Sequence, residues 1–307
     1  MAVGVITEMA QEWDADGNMT AEIFLDGNGE KTLHPDGWAE HRMVYNENKQ
    51  RISEKWFGTD GAPALFRESY SGIDRAYDEN GNVCRETYYG ADGEIGPNAG
   101  GIITVERKYD ENKRVIWYRY SDADGAPMAV KDITEMEQGY DENGILNLEI
   151  FLDGNGGRTL TADNWAEHRM VYNENKQRIR ERWFGIDGAP ALFRGSYSGI
   201  DREYDENGNV IRETCYGEDG KIGANANGVV TVERKYDGEK RIVWYRYLDE
   251  NGEPMAVGGV AEMENEYDGN GNLIREACRD GNGAAALHPD GWAEHRMEYN
   301  EIGRAHV

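Results

Sequence analysis

The sequence predicts an all-β fold: an elongated array of about ten β-hairpin repeats, wound as a solenoid or laid out as a twisted ribbon. Three observations predict it. Met9, Met136 and Met263 open matching stretches 127 residues apart. Within that long period an aromatic anchor recurs, at Trp13, Tyr45, Tyr77, Tyr109, Tyr140, Tyr172, Tyr204, Tyr236, Tyr267 and Tyr299, in steps of 32, 32, 32 and 31 residues that then repeat. Fifteen residues after each of the first nine anchors stands Asn or Asp followed by Gly, from Asn28-Gly29 to Asn282-Gly283. Residues 1–127 thus form a first copy of four units and 128–254 a second. A partial third copy covers 255–301, and 302–307 depart from the pattern.

Each unit justifies its elements in order. The first is a turn directly after the anchor. Asp78-Glu79-Asn80-Gly81-Asn82 and Asp205-Glu206-Asn207-Gly208-Asn209 are its fullest forms, and Asn-Gly between alternating runs is a strong hairpin signal. At Asn48-Lys49 and Asn112-Lys113 a Lys replaces the Gly. Asn is expected to take the left-handed conformation there, giving a turn of a different type. The strands come next. Runs such as 102–110 and 115–120 are rich in β-branched and aromatic residues. Large apolar groups sit seven residues before the anchor (Trp38, Tyr70, Trp165, Trp292) and eleven after it (Phe24, Trp56, Tyr88, Trp183). Nine residues after it lies Glu in seven units (Glu22, Glu54, Glu86, Glu149, Glu181, Glu213, Glu276) and Tyr in two (Tyr118, Tyr245). Side chains alternate along a strand, so the seventh, ninth and eleventh positions are expected to share one half-buried face with cross-strand aromatic and ion pairs. The Asx-Gly pair then reverses the chain. No stretch carries a sustained helical period.

With 33 basic against 59 acidic residues the net charge is −26, and apolar residues make up only 38%. That charge argues against nucleic acid and anionic membranes as partners. No apolar run is long enough for a membrane-spanning helix, and no signal peptide is visible. An isolated hairpin is marginal, so stability must come from neighbours burying each other's rings. Met1 matches the internal Met128 and Met255, and Glu301–Val307 read as the translation of a sequencing adapter. The chain is therefore expected to be a metagenomic piece of a longer array whose residues 302–307 are extraneous. Strand edges at its two cut ends are expected to drive self-association.

Candidate chemistry is sparse. Cys84, Cys215 and Cys278 each replace an apolar residue of a sister unit, as buried hydrophobes would, and lack paired spacing for disulfides or zinc. Gly27–Thr32 lacks the spacing of a phosphate loop. The acidic turns raise calcium as an alternative, with Asp14, Asp16, Asp78, Asn80, Asp122 and Asp124 as ligands. Yet their Gly comes fourth rather than sixth, and no closing Glu follows. Otherwise no metal or cofactor is expected. The block Trp-Ala-Glu-His-Arg-Met occurs at 38–43, 165–170 and 292–297, but no Ser or Cys nucleophile recurs at a fixed offset, so the chain is not expected to be an enzyme. The repeated rings are the candidate ligand surface: Trp38, Trp56, Trp165, Trp183 and Trp292, with His41, His168 and His295 beside them. A ring flanked by polar groups suits stacking on a sugar. The bland alternative is that they form the core of a thin sheet.

The turns Tyr77–Gly81, Tyr204–Gly208 and Tyr267–Gly271 resemble the YD repeats of RHS-type bacterial surface and toxin proteins. The order Gly37-Trp38, Trp56-Phe57, Asp60-Gly61 is similar to choline- and glucan-binding cell-wall repeats, although this unit is longer and its second copy reads Asn164-Trp165. The resemblance implies β-hairpin arrays of bacterial surface or secreted proteins, hence an extracellular or cell-surface location. The function expected is binding of glycan or cell wall through the aromatic rows. The alternative is a passive spacer with no ligand of its own.

Overall fold

The structure, a computed structural model, describes residues 6–299 and, at 305–306, the backbone alone. The suspected adapter tail otherwise lies outside the described residues. Among these every regular element is a strand. The chain divides into two compact units, Met1–Gly139 with Ile150–Arg158, and Tyr140–Glu149 with Thr159–Val307.

The first unit holds β1 (Glu8–Trp13), β2 (Met19–Leu25), β3 (Glu40–Tyr45), β4 (Arg51–Phe57), β5 (Gly72–Tyr77), β6 (Val83–Tyr89), β7 (Thr104–Tyr109), β8 (Val115–Ser121) and most of β9 (Glu135–Tyr140). Each strand pairs antiparallel with the next in chain order. The second unit takes the first half of β10 (Leu146–Leu152) and then β11 (Glu167–Tyr172), β12 (Arg178–Phe184), β13 (Gly199–Tyr204), β14 (Val210–Tyr216), β15 (Thr231–Tyr236), β16 (Ile242–Leu248), β17 (Glu262–Tyr267), β18 (Leu273–Arg279) and β19 (Glu294–Arg296). From β11 onward the same consecutive antiparallel pairing runs through it. The ~32-residue hairpin unit expected from the anchors is the unit the fold uses.

The turn after each anchor has one geometry. In the first, the Asp14 N–H donates to the Asn18 carbonyl at 2.9 Å and Gly17 N–H donates back to Asp14 at 3.2 Å. This is a three-residue loop closed by a left-handed residue and a bulge. Where Lys replaces Gly, the expectation of a different turn type is corrected. The left-handed residue is Lys itself, with φ of 59° at Lys49, 61° at Lys113, 60° at Lys176 and 62° at Lys240, and the turn keeps its hydrogen bonds. Two of these lysines reach back to the turn one unit earlier: Lys49 Nζ donates to Asp16 O and Lys240 Nζ to Asn207 O, each at 3.0 Å.

The register shift at the anchor corrects a second expectation. Tyr236 pairs with Ile242, so the next residue, seven after the anchor, is bulged out of the alternation. Ile242 lies with Tyr245 and Tyr247 on the inner face, whereas Ile211, at the bulged position of its own strand, lies with Trp244 and Arg246 on the outer one. The ninth and eleventh positions do share the inner face, as the buried Glu54 and Trp56 show.

Between hairpins the chain makes two further turns that fold over the inner face. Asp26–Glu30 and His34–Trp38 are the first such pair. In two units the last of these shrinks to a two-residue loop: Val130 and Ile133 exchange both backbone hydrogen bonds, and so do Val257 and Val260. One residue is lost each time, which is the physical origin of the 31-residue step. The core lies under these loops. Trp38, Trp56 and Ile73 form a buried cluster with Phe24, Ala64, Phe66, Tyr70 and Tyr88 around it, and Val260, Met263 and Cys278 form another with Tyr245 and Trp292.

Candidate functional site

The sites singled out by the sequence are the inner-face positions where the three Trp-Ala-Glu-His-Arg-Met blocks fall, the first in one unit and the other two in the second. In the first block, β3 sets His41 opposite Trp56 of β4. The two rings stack 4.5 Å apart at 6°, and the edge of Trp38 closes the other side at 5.7 Å. His41 Nε2 lies 3.0 Å from Glu54 Oε2. Glu54 also accepts from Arg51 Nη1 at 2.7 Å and from Arg75. Burial would raise the Glu54 pKa, but the bonds from His41, Arg75 and Arg51 outweigh it and hold the carboxyl down at about 2. The row continues: Arg75 Nε reaches Glu86 at 3.4 Å, and Arg107 Nη1 donates to Glu86 at 2.7 Å.

The second block repeats this with one more partner. His168 stacks 4.7 Å from Trp183, with Trp165 edge-on at 5.6 Å. Its Nε2 is 3.1 Å from Glu181 and its Nδ1 is 3.4 Å from Glu149. Burial opposes the charged imidazole, but the two carboxylates prevail and raise its pKa. Glu181, buried yet bonded by His168 and Arg202 and close to Arg178, is held down at about 2. Arg202 Nε then donates to Glu213 at 3.1 Å. The third block is looser: His295 Nδ1 lies 3.6 Å from Glu276, and Trp292 is half-buried. Where Tyr replaces Glu in the row, its hydroxyl meets a thioether instead, Tyr118 to Met136 Sδ at 3.3 Å and Tyr245 to Met263 Sδ at 3.1 Å.

In the first two blocks the candidate ligand residues are therefore brought together, but inside, while Trp292 and His295 of the third are half-buried. Trp38 is 5% exposed, Trp56 3%, Trp165 9% and Trp183 4%, and both His41 and His168 are buried. Ring faces that a sugar would need are covered by other rings, such as Phe66 on Trp56 at 4.8 Å and Phe193 on Trp183 at 4.9 Å. Sequence reasoning missed the arginines that complete the row: Arg75, Arg107, Arg202 and Arg234 two residues before the anchor, and Arg51 and Arg178 six after it. The signal was available, because a residue two before the anchor is the register partner of the Glu nine after it, as Arg75 is of Glu86.

The acidic turns spend their oxygens locally. Asp14 Oδ1 accepts from the Asp16 and Asn18 backbone N–H, and Oδ2 from Asn18 Nδ2. Asp78 does the same with Asn80 and Asn82, and Asp122 takes the Asp124 and Ala126 N–H. Asp16, Asn80 and Asp124 thus offer backbone donors to the first carboxylate. Among the described residues no three His, Cys, Asp or Glu side chains converge as metal ligands would. The three cysteines are free; Cys84 is half-buried, Cys215 and Cys278 are buried, and burial pushes the Cys215 thiol up to about 11.

Comparison with known proteins adds one family and several structures. The MORN repeat variant family matches residues 199–222, a single hairpin of this chain. No curated protein matches. Similar solved structures include TcdB2-TccC3-TEV (13% identity, TM-score 0.34, covering 97% of this chain and 15% of that one) and TcdB2-TccC3 (12%, 0.35, 95% and 15%). A Photorhabdus luminescens Tc holotoxin pore is similar at 10% identity and TM-score 0.25, over 97% of this chain and 17% of that one. The chain thus spans about one-sixth of the length of those chains or less. It is a β-hairpin repeat protein.

Proposed function

We propose that this chain is a structural repeat segment of a bacterial surface or secreted protein, a scaffold whose aromatic rows build its own sheet. The observation that carries this reading is the burial of Trp38, Trp56, Trp165 and Trp183 under the connecting loops. Rings so placed act as core, with aromatic pairs adding about 0.5–1.5 kcal/mol each beyond area burial. The bacterial and extracellular setting rests on the YD-type turns. A catalytic reading of the histidines has no support from geometry, since His41 and His168 are enclosed by indoles and ion-paired with carboxylates that Arg also holds. A glycan-binding reading of the same rings would need open faces that packing occupies.

Deletion of one unit, residues 46–77, tests the proposal. A modular scaffold closes up and folds as a shorter cooperative β protein with a proportionally smaller denaturant slope. Loss of all structure on this deletion would overturn the reading. So would binding of a neutral polysaccharide that disappears on Trp38→Ala or Trp165→Ala while the fold persists.

A further inference from the structure

One inner-face position of the second unit is less filled than its sisters, and the scaffold role does not use it. In the first two Trp-Ala-Glu-His-Arg-Met blocks the residue four before the anchor is a buried His. Its ring stacks on the indole eleven after the anchor, His41 on Trp56 and His168 on Trp183. On its other side stands a row Glu, Glu22 by register for His41 and Glu149 at 3.4 Å for His168. In the unit anchored at Tyr236 the same position is Val232. Val232 pairs by register with Glu213 of β14 on one side and Tyr247 of β16 on the other. Seven before the anchor, Val229 stands in place of the Trp38 and Trp165 of the blocks. These smaller side chains leave a cavity of about 290 Å³ at Val232, lined also by Glu213, Asn225, Val229, Ile242, Tyr245 and Tyr247 among others.

We propose that this cavity is a binding site for a small, neutral, planar heterocycle that carries an N–H. The sister repeats supply the template, because the ligand would take the place that an imidazole takes in β3 and β11. Tyr247 stands where the stacking indole stands, and Val229, Val232 and Ile242 give the apolar walls that a ring needs. Glu213 supplies the acceptor. It takes Arg202 Nε at 3.1 Å and lies 3.6 Å from Arg234 Nη2. Two cations do not exhaust a carboxylate, since Glu54 meets Arg51, Arg75 and the His41 ring at once. On the far side Tyr245 replaces the second Glu, with its hydroxyl 3.1 Å from Met263 Sδ. Asn225 is held by its own loop, its Oδ1 accepting from the Asn227 and Val229 N–H. The acids around the cavity are Glu213 and, near Tyr245, Glu276, and they are matched by Arg202 and Arg234. A neutral ring therefore suits the site better than an ion, which would have to be desolvated without a free counter-charge. The counterpart one long period earlier carries the larger Ile102 in place of Val229, so the site is assigned to the second copy.

The test is calorimetric and NMR titration of the full chain with benzimidazole at pH 8, where that base is neutral, beside 1-methylbenzimidazole and cyclohexanol. Benzimidazole is expected to bind with a Kd of about 1 mM or tighter. The methylated ring, which has lost the N–H, and cyclohexanol, which is not planar, are expected to bind at least about tenfold more weakly. Val232→His puts into the cavity the ring that β3 and β11 carry. It is expected to lower the affinity for benzimidazole at least about tenfold with an unchanged far-ultraviolet dichroism spectrum. No binding of benzimidazole at about 10 mM overturns the proposal. So does equal binding of 1-methylbenzimidazole or of cyclohexanol, and so does a folded Val232→His that binds undiminished. Should Val232→His fail to fold, ring-current shifts of the Val232 methyl resonances in the wild type locate the ligand instead, and their absence on adding benzimidazole overturns the assignment.

Discussion

His41 and His168 occupy the same place in the same hexapeptide, yet their electrostatic settings differ. Both stack on an indole and both meet a Glu through Nε2. His168 also has Glu149 at Nδ1, whereas Glu22, the register partner of His41, forms no hydrogen bond with it among the described residues. Nearby, the loop residue that stacks between Phe24 and Trp38 in the first copy, His34, is Thr161 in the second. His295 in the third copy has only a longer contact to Glu276. A short motif therefore fixes where a side chain stands, while the strand and loop before it decide how many charges it meets.

The comparison can be broken most forcefully at the shared acceptor. Glu54→Ala takes their carboxylate from Arg51 and His41 and leaves Arg75 only Glu86, and removing one partner of a buried ionic cluster costs about 3–5 kcal/mol. Glu181→Ala leaves His168 its second carboxylate, so urea denaturation of the two variants is expected to show the smaller loss for Glu181→Ala. Equal losses would mean that Glu149 contributes nothing. Next in size is acid. Glu54 and Glu181 have folded pKa values of about 2 against an ordinary 4.5, so their contribution is present above pH 4.5 and lost as pH falls towards 2. That amounts to about 3 kcal/mol each, and denaturation midpoints at pH 6 and pH 3 in the wild type and Glu→Gln variants check it. His168 works with the opposite sign. Its folded pKa is raised above 6.5, so its contribution is complete below pH 6.5 and fades as pH rises through the folded value. Glu149→Gln is expected to lower the His168 pKa measured by proton NMR; an unchanged His168 titration would sink the two-carboxylate account. The smallest effect lies in the turns. Lys113→Gly and Lys176→Gly relieve a left-handed side chain and are expected to stabilise by about 1 kcal/mol. Lys49→Gly and Lys240→Gly gain less, because they also lose the Nζ bond to the preceding turn. Thermal midpoints of the four variants rank them.

Much of this was legible because the repeat compares the chain with itself. The anchor, the Asx-Gly pairs and the row of Glu nine residues on are local signals, and all nine of those glycines take positive φ, as at Gly29 and Gly283. Lys49 was misread because propensity favours Asn for the left-handed position, whereas a hydrogen-bonded loop on both sides fixes which residue must adopt it. The bulge that turns Ile211 outward left no mark in composition, since strict alternation assumes an unbroken ladder. The burial of Trp56 and Trp183 was undecidable from the strands alone. It depends on Phe66 and Phe193, which sit in loops and cover the rings from above.

The acid side chains that organise the turns carry one more consequence. Asp14, Asp26, Asp78, Asp110, Asp205, Asp237, Asp249 and Asp268 all have depressed pKa values, with backbone or side-chain N–H donors within their own loops among the causes. They keep their protons off further into acid than free aspartate does. The intact molecule should therefore focus below the isoelectric point of 4.6 given by its composition, and its band should migrate upward in urea. In mildly acidic surroundings it remains an anionic colloid, resisting precipitation until the loops themselves come apart.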